Sequence, residues 1–369
     1  MERLANLCSK INSKMTPGQL KGTLLEYLVR QLMHNNGFNS VNPDGHYVFK
    51  QDGNGLFFIN GKGAAHDADV LMEPPLQLPF SYPTRLLFEC KSYESSISLS
   101  VIRNALGLRY DINEFEIVTD DSINKRKNNR RASYAISDRK RFNYQVGVAS
   151  VEKFSASAFE FAANNKIPLL SLRWFLPERV CDLFHSIDTR YLARMPDGVK
   201  ASLYSFLKDK GRDKLYEYPS VNNFLEDDQI VGKIIRSFNS ISRKSFIGLI
   251  ETGDLIFLFG QSNEDYTFLY EQRRFEGLRA QIHYQSNDPN QWMLELFDVN
   301  GRTSEFSFFV PHRIMSMWRS FSLDKGAALD LKQEYFSRIF IFINRQGAMG
   351  LPFILVNIDR QWLDNLREG

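Results

Sequence analysis

The segment that most constrains this chain is apolar and ends in an acid, a cysteine and a lysine: Arg85-Leu-Leu-Phe-Glu-Cys-Lys91. Its leucines and phenylalanine are typical of a strand buried in the middle of a sheet. Alternate side chains of a strand point to opposite faces, so Glu89 and Lys91 share one face and Cys90 takes the other. The sequence therefore predicts a carboxylate and an ammonium group side by side at the end of a central strand.

A second acidic segment, His66-Asp-Ala-Asp-Val70, precedes this strand. Asp69 stands directly before an apolar run, so we expect it at the end of a neighbouring strand. Its carboxylate then converges with that of Glu89 on one Mg²⁺, a hard cation that binds oxygen ligands and keeps several waters. Lys91 would lie beside a metal-bound water, where it acts as general base or stabilises the charge on a phosphate under attack.

Glu-x-Lys also occurs by chance in strands that carry no site, so the neighbouring segments matter. A glycine-containing approach, Gly61-Lys-Gly63, leads to Asp69, then to Glu89 and Lys91, and then to a predicted helix over about residues 98–111. This order resembles the Mrr-like branch of the PD-(D/E)xK restriction endonucleases, over about residues 16–173. The resemblance implies an α/β restriction-endonuclease-like core, with a mixed central sheet flanked by helices.

The same resemblance implies a metal-dependent endodeoxyribonuclease that uses Mg²⁺, for which Mn²⁺ can substitute. Asp69, Glu89 and the backbone carbonyl of Cys90 would hold the metal, while Lys91 assists the attack on the phosphate. Duplex cleavage needs two such sites, which favours a homodimer or a larger assembly.

Thr16 and Pro17 predict a helix start, with an N-cap followed by proline at the first helical position. Leucines recur every fourth residue from Leu20 to Leu32, and Asn36-Gly37 is a stop signal. Glu26 lies off this leucine stripe. The opening helix of the resembled nucleases often carries an additional acid near the metal, which implies a catalytic role for Glu26. The alternative is a glutamate on a solvated helix face.

A strongly basic segment follows the predicted site. Between Ser122 and Gln145 the chain has eight basic residues and one acid. Such a segment predicts a long loop that contacts DNA phosphates, in a salt-dependent manner that is blind to sequence. The residues expected to make these contacts are Lys125, Arg126, Lys127, Arg130 and Arg131. The alternative is an ordinary solvated loop.

Two further residues are candidate DNA contacts. His66 is placed to orient a water or to contact a phosphate. Arg103 could face the active site from its helix, although a helix surface with Ile102, Ala105 and Leu106 turned inward is an equally good interpretation.

The second half of the chain changes character. We expect a nuclease domain over residues 1–175, a helical connector over 176–215, and a C-terminal β-rich α+β domain over 216–369. Target recognition, self-association or partner binding is the expected role of this last domain. Its predicted strands cover residues 246–250, 255–259, 266–270, 280–284, 292–297, 306–310, 338–343 and 352–358.

The composition indicates the cellular compartment of the protein but says little about its activity. The apolar fraction is 43% and the charged fraction 24%, as in soluble globular proteins. The sequence shows no apolar run long enough to span a bilayer and no secretory leader. Three cysteines without metal-ligand spacing suit a reducing cytoplasm.

The sequence therefore predicts a cytoplasmic Mg²⁺-dependent DNA endonuclease, acting in restriction or anti-phage defence with or without a partner protein of a defence system. A repair or junction nuclease would use the same chemistry. A different alternative is a non-catalytic module on a nuclease fold that binds nucleic acid or a partner protein.

Overall fold

The computed structural model describes residues 15–45, 47–50, 57–77, 81–115, 141–174, 176–209, 214–272, 278–285, 288–343 and 352–368. All statements about structure below refer to these residues.

The described strands of the N-terminal half form two sheets. In chain order they are β1 (Asn39–Ser40), β2 (Val48–Lys50), β3 (Phe57–Asn60), β4 (Ala65–Asp67), β5 (Val70–Glu73), β6 (Thr84–Lys91), β7 (Asn143–Ser150) and β8 (Leu169–Ser171). The larger sheet has the order β1-β5-β6-β7-β8. Its first three strands are antiparallel neighbours, whereas β6, β7 and β8 are parallel. Strands β2, β3 and β4 form a small antiparallel sheet.

Helices cover both faces of the larger sheet. They are α1 (Pro17–Asn35), α2 (Leu99–Asn113) and α3 (Ala156–Asn164). The leucines of α1 share an apolar cluster with Phe88 of β6. On the other face, Leu87 of the same strand clusters with residues of α2 and α3. The N-terminal half is therefore a mixed α/β structure, in which β6 is buried on both sides.

The bounds of α1 confirm the predicted start and stop signals. Thr16 caps the helix, and its side chain and that of Gln19 form a reciprocal capping box. The helix ends at Asn35, and Gly37 adopts a positive φ of 84°. Unlike a surface helix, α1 also buries its polar residues, Glu26 and Arg30 among them. Helices from later in the chain cover the side that the leucines leave open.

The helices that cover α1 follow β8. They are α4 (Glu178–Cys181), α5 (Thr189–Arg194), α6 (Asp197–Lys208), α7 (Pro219–Asp227) and α8 (Val231–Ser242). Helices α6 and α8 pack directly against α1. One apolar cluster joins α1 to Phe206, Phe238 and Ile247. The core around α1 therefore crosses both domain boundaries expected from the sequence.

The described strands of the C-terminal half close into a seven-stranded barrel. They are β9 (Ser245–Ile250), β10 (Leu255–Gly260), β11 (Leu278–Gln285), β12 (Asp288–Phe297), β13 (Thr303–Phe309), β14 (Arg338–Phe342) and β15 (Phe353–Ile358), in the order β10-β13-β12-β11-β15-β14-β9. All neighbours are antiparallel except β11 and β15. The associated helices are α9 (Asn263–Glu271), α10 (His312–Ser320), α11 (Lys325–Tyr335) and α12 (Arg360–Glu368).

Seven of the eight strands predicted in this half coincide with observed strands. The prediction for residues 266–270 is wrong, because these residues lie in α9. The alternation of Tyr266, Phe268 and Tyr270 imitates a strand. However, Ser262 and Asp265 form a capping box that starts a helix here, and this local signal precedes the aromatic residues.

The longest described helix, α1, has 19 residues and carries Lys21, Glu26 and Arg30 among its leucines. No helix in the described ranges is both long and apolar enough to cross a bilayer.

Candidate active site

Asp69 and Glu89 meet at the end of two interior strands of the larger sheet, where β5 begins and β6 ends. The antiparallel register pairs Val70 with Phe88, so Asp69, the residue before Val70, comes opposite Glu89. The backbone N–H of Cys90 donates to Oδ2 of Asp69 at 2.9 Å. This bond holds the Asp69 carboxylate against the main chain of the Glu-x-Lys segment. The two acids thus converge as the sequence suggested.

Lys91 is paired with Glu89. Its Nζ lies 2.8 Å from Oε2 of Glu89, and both side chains are partly exposed, at 27% and 20%. Solvent can therefore reach both groups. Cys90 packs against the apolar cluster of α1 on the opposite face of the strand, as the alternation along β6 predicts.

Glu26 is the third acid of this cluster. It is 8% exposed, so the alternative of a solvated helix-face glutamate is wrong. Its carboxylate accepts hydrogen bonds from Nζ of Lys208, at 2.8 Å to Oε2 and 3.1 Å to Oε1. Lys208 is the last residue of α6, and nothing in the sequence singled it out.

Burial and charge together perturb the cluster. Burial raises the pKa of Asp69 to about 7, and the negative charges of Glu26 and Glu89 add to this effect. The pKa values of Lys91 and Lys208 are raised as well, but by the neighbouring acids and against the effect of burial. Burial lowers both, but Glu89 raises that of Lys91 and Glu26 raises that of Lys208, so the net shift is upward in each case. Both lysines are therefore charged at neutral pH, with three acids close together.

A buried arginine completes the charged cluster. Arg30, one turn after Glu26 on α1, is 1% exposed and donates from Nη2 to the carbonyl of Leu207. Its Nε and Nη1 have no hydrogen-bond partner in the described part of the chain. Burial lowers the pKa of Arg30, while Glu26 raises it. Arg30 therefore places positive charge near Glu26 and joins α1 to the end of α6.

In the present arrangement each acid is bonded to a group of the protein itself. Within the described ranges, no three His, Cys, Asp or Glu side chains come close enough to hold a metal ion together. Asp69 and Glu89 nevertheless fit a hard divalent cation, because Mg²⁺ is commonly held by one or two carboxylates and several waters. Burial and, after it, the negative charges of Glu26 and Glu89 raise the pKa of Asp69, and a bound cation would favour its ionised form. For Glu89 to bind a cation with both oxygens, Lys91 has to move away.

The two candidate DNA contacts from the described part of the chain, His66 and Arg103, contact residues outside this cluster. His66 Nε2 lies 2.7 Å from Oδ2 of Asp111 on α2. The other oxygen of Asp111 accepts the backbone N–H of Gly63, so His66 helps to fasten the β3–β4 turn to α2. The exposed Arg103 places its guanidinium over the ring of Phe161 on α3, at 5.7 Å.

The remaining candidate contacts fall outside the described residues. Lys125, Arg126, Lys127, Arg130 and Arg131 all belong to the range 116–140. Their expected contact with DNA stays a prediction.

Comparisons with known proteins give little guidance. No protein-family model matches the chain, and a search of curated proteins gives no match. Among solved structures, the chain is similar to a protein of unknown function, AF1548, with 13% sequence identity and a TM-score of 0.27. That match covers 59% of this chain and 98% of the other. A similarity at this level carries no argument about fold or function.

Proposed function

We propose that this chain is a Mg²⁺-dependent endonuclease that hydrolyses phosphodiester bonds in DNA, with Mn²⁺ able to replace Mg²⁺. The observation that carries the proposal is the convergence of Asp69, Glu89 and Lys91 at one edge of the sheet, with Glu26 buried beside them. Ionisation of Asp69 carries a free-energy cost, because burial and, after it, the negative charges of Glu26 and Glu89 raise its pKa. A bound cation removes that cost.

Each residue of the cluster has a distinct role in this proposal. Asp69, Glu89 and the backbone carbonyl of Cys90 hold the metal. When bound, the metal would lower the pKa of a coordinated water and polarise the phosphate. Lys91, once released from Glu89, either takes the proton of the attacking water or stabilises the charge on the phosphate. Glu26, on α1, is an additional acid near the metal, and Lys208 orients its carboxylate.

DNA is held by residues outside the carboxylate cluster. The segment 125–131 supplies the phosphate contacts, with His66 and Arg103 at the periphery. We further propose that the chain acts in the cytoplasm as a homodimer or larger assembly, in restriction or anti-phage defence, alone or with a partner protein of a defence system. Repair or junction cleavage would use the same residues.

One observation favours a second candidate function. Asp69, Glu89 and Glu26 are each bonded to a donor of the protein itself, which is an arrangement that a non-catalytic binding module would retain. Such a module would bind nucleic acid or a partner protein without cutting. The two candidates differ in a single measurable property, metal-dependent cleavage.

Cleavage of supercoiled plasmid in Mg²⁺, in Mn²⁺ and in EDTA tests the proposal, with an RNA substrate in parallel. Asp69→Asn, Glu89→Gln and Lys91→Met should each lower the cleavage rate by about a hundredfold or more, because the three residues act as a unit. DNA affinity measured in EDTA should stay close to that of the wild type.

Glu114→Gln is the matched control. Glu114 forms an exposed ion pair with Lys62, so its loss should leave cleavage unchanged. Undiminished cutting by Glu89→Gln would overturn the assignment of the site. Metal-independent DNA binding by a wild-type protein that never cuts would favour the non-catalytic module.

A further inference from the structure

A groove separates the end of α1 from the barrel. It is lined by the ends of α1 and α8, by the turn before β9 and by α9, and it encloses about 650 Å³. This is a volume typical of small-molecule sites. We call it the Tyr266 groove, after its central residue, and define it by Asn35, Arg243, Lys244, Asn263, Tyr266 and Tyr270.

Two cations, Arg243 and Lys244, lie on its wall. Neither Arg243 nor Lys244 has a carboxylate within 4.0 Å among the described residues, and no acid is among the described residues that line the groove. By contrast, Arg302, Arg338 and Arg367 of the barrel half each lie within 4.0 Å of an acid. Two adjacent cations with no acid beside them among the described residues favour an anionic ligand, and phosphate is one of the anions that arginine and lysine commonly bind in proteins.

Two tyrosines also line the groove. The rings of Tyr266 and Tyr270 lie 4.7 Å apart, and Tyr266 stacks on the buried Phe246 at 5.5 Å with an interplanar angle of 25°. Phe246 belongs to β9 of the barrel, so the tyrosines have a rigid support. Half-buried, fixed aromatic rings are the surfaces on which nucleobases stack in nucleic-acid-binding proteins.

Two asparagines, Asn35 and Asn263, also line the groove. Asn35 donates from Nδ2 to Oγ of Ser242 at 3.2 Å, which fixes the orientation of its amide and leaves Oδ1 without a described partner. Asn263, at the start of α9, is exposed. Amides can accept from and donate to the polar edge of a base. The groove therefore combines the three kinds of group that a nucleotide requires.

We propose that the Tyr266 groove binds a nucleotide unit, with its phosphate between Arg243 and Lys244 and its base against Tyr270. This ligand is either a free nucleotide or one unit of a nucleic-acid strand. The site is separate from the carboxylate cluster, because Asn35 lies nine residues after Glu26, about 13 Å along α1 and half a turn around it. Binding here does not depend on the proposed nuclease activity.

Calorimetric titration in EDTA with the full-length Asp69→Asn protein tests this inference without any cleavage. The probes are deoxyadenosine monophosphate, a short single-stranded oligonucleotide and inorganic pyrophosphate. Arg243→Gln combined with Lys244→Gln should weaken binding of the mononucleotide about tenfold or more. Tyr270→Leu should weaken it several-fold, whereas Tyr270→Phe, which keeps the ring, should bind like the parent protein.

Lys233→Gln combined with Lys325→Gln is the matched control, since both residues are exposed cations outside the groove. It should bind like the parent. If the oligonucleotide binds more tightly than the mononucleotide and the groove variants weaken both, the ligand is a strand. Mononucleotide binding that is at least as tight identifies a free nucleotide.

Two results would overturn the proposal. One is mononucleotide binding that is absent, or unaffected by the Arg243 and Lys244 substitutions in a variant whose thermal unfolding matches the parent. The other is pyrophosphate binding as tight as that of the mononucleotide together with no effect of Tyr270→Leu, which would reduce the groove to a phosphate site. Neither result bears on plasmid cleavage, so this inference and the proposed nuclease fail independently.

Discussion

Lys208 at the end of α6 holds Glu26 in the middle of α1, with Nζ 2.8 Å from Oε2. The two residues are 182 positions apart in the sequence. The helical connector predicted from the sequence thus supplies part of the candidate site. The position of α6 determines whether Glu26 keeps the Lys208 ammonium group as its hydrogen-bonded counter-charge.

The ion pair between Lys208 and Glu26 should stabilise the fold. Lys208→Met leaves the buried Glu26 without its hydrogen-bonded counter-charge and should lower the free energy of unfolding by about 2 kcal/mol. Adding Glu26→Gln should restore most of that stability, as measured by urea unfolding in a double-mutant cycle. The exposed pair Lys214 and Glu217 is the control, with an expected coupling below about 0.5 kcal/mol. Additive effects of the two buried substitutions would contradict the prediction.

Asp69→Asn should stabilise the protein in a pH-dependent way. The pKa of Asp69 rises from its ordinary value of 3.8 to about 7 in the folded protein, so the native state keeps a proton that the unfolded chain releases. Ionisation of Asp69 therefore costs stability as the pH rises from about 4 to about 7, and the cost is complete above that range. Asparagine stays neutral. We expect a gain of about 1–3 kcal/mol at about pH 8 and almost none at about pH 4.

Urea unfolding across this pH range measures the effect. Asp330→Asn is the control, because Asp330 is an exposed acid paired with Arg367, and its substitution should show no such pH-dependent gain. Equal stability of Asp69→Asn and wild type at the upper pH would show that folding does not raise the pKa of Asp69.

Shortening the chain should disclose how the halves depend on each other. A fragment of residues 1–209 lacks α7, α8 and the barrel, whose residues Val221, Phe238 and Ile247 belong to the cluster around α1. We expect it to lose cooperative thermal unfolding, because removing them exposes apolar surface of α1. A fragment of residues 1–243 keeps α7 and α8 and should be the more stable of the two. Cooperative unfolding of the shorter fragment would contradict this expectation and would support the domain boundary predicted from the sequence.

Neutralising the basic segment should weaken DNA binding equally for all sequences. Replacing Arg126, Lys127, Arg130 and Arg131 with glutamine should reduce the slope of log K against log salt by about 0.9 for each phosphate that is no longer neutralised. Binding measured by fluorescence anisotropy over a range of salt concentrations checks this. Arg190→Gln with Lys233→Gln, at exposed positions elsewhere, should leave the slope unchanged. An unchanged slope in the four-fold variant would identify a solvated loop.

Local signals were sufficient to predict much of the N-terminal half. Thr16-Pro17 and Asn36-Gly37 mark the ends of α1 because capping and turn geometry depend on adjacent residues. The apolar run before Glu89 predicts β6, because a strand that is buried on both faces requires consecutive apolar residues. The face shared by Glu89 and Lys91 follows from strand geometry alone.

The partners of Glu26 could not be predicted in this way. Lys208 reaches Glu26 only because α6 packs across α1, which is a tertiary contact without a local signature. His66 was expected near phosphate but is bonded to Asp111, a residue 45 positions later in the sequence. The seven-stranded barrel likewise depends on β9 pairing with β14, and strand patterns alone do not reveal such closure.

The closed barrel has a consequence for how copies of the chain could associate. Strand β9 pairs with β10 on one side and β14 on the other, so the described barrel strands present no row of unpaired backbone groups. The larger sheet ends in β1 and β8, of two and three residues, which are too short to template another strand. Among the described strands, neither of these sheets therefore offers a long edge strand that a second copy could extend. If two copies associate through the described residues, complementary side-chain surfaces rather than paired strands would form the interface, and single substitutions on those surfaces should change its specificity.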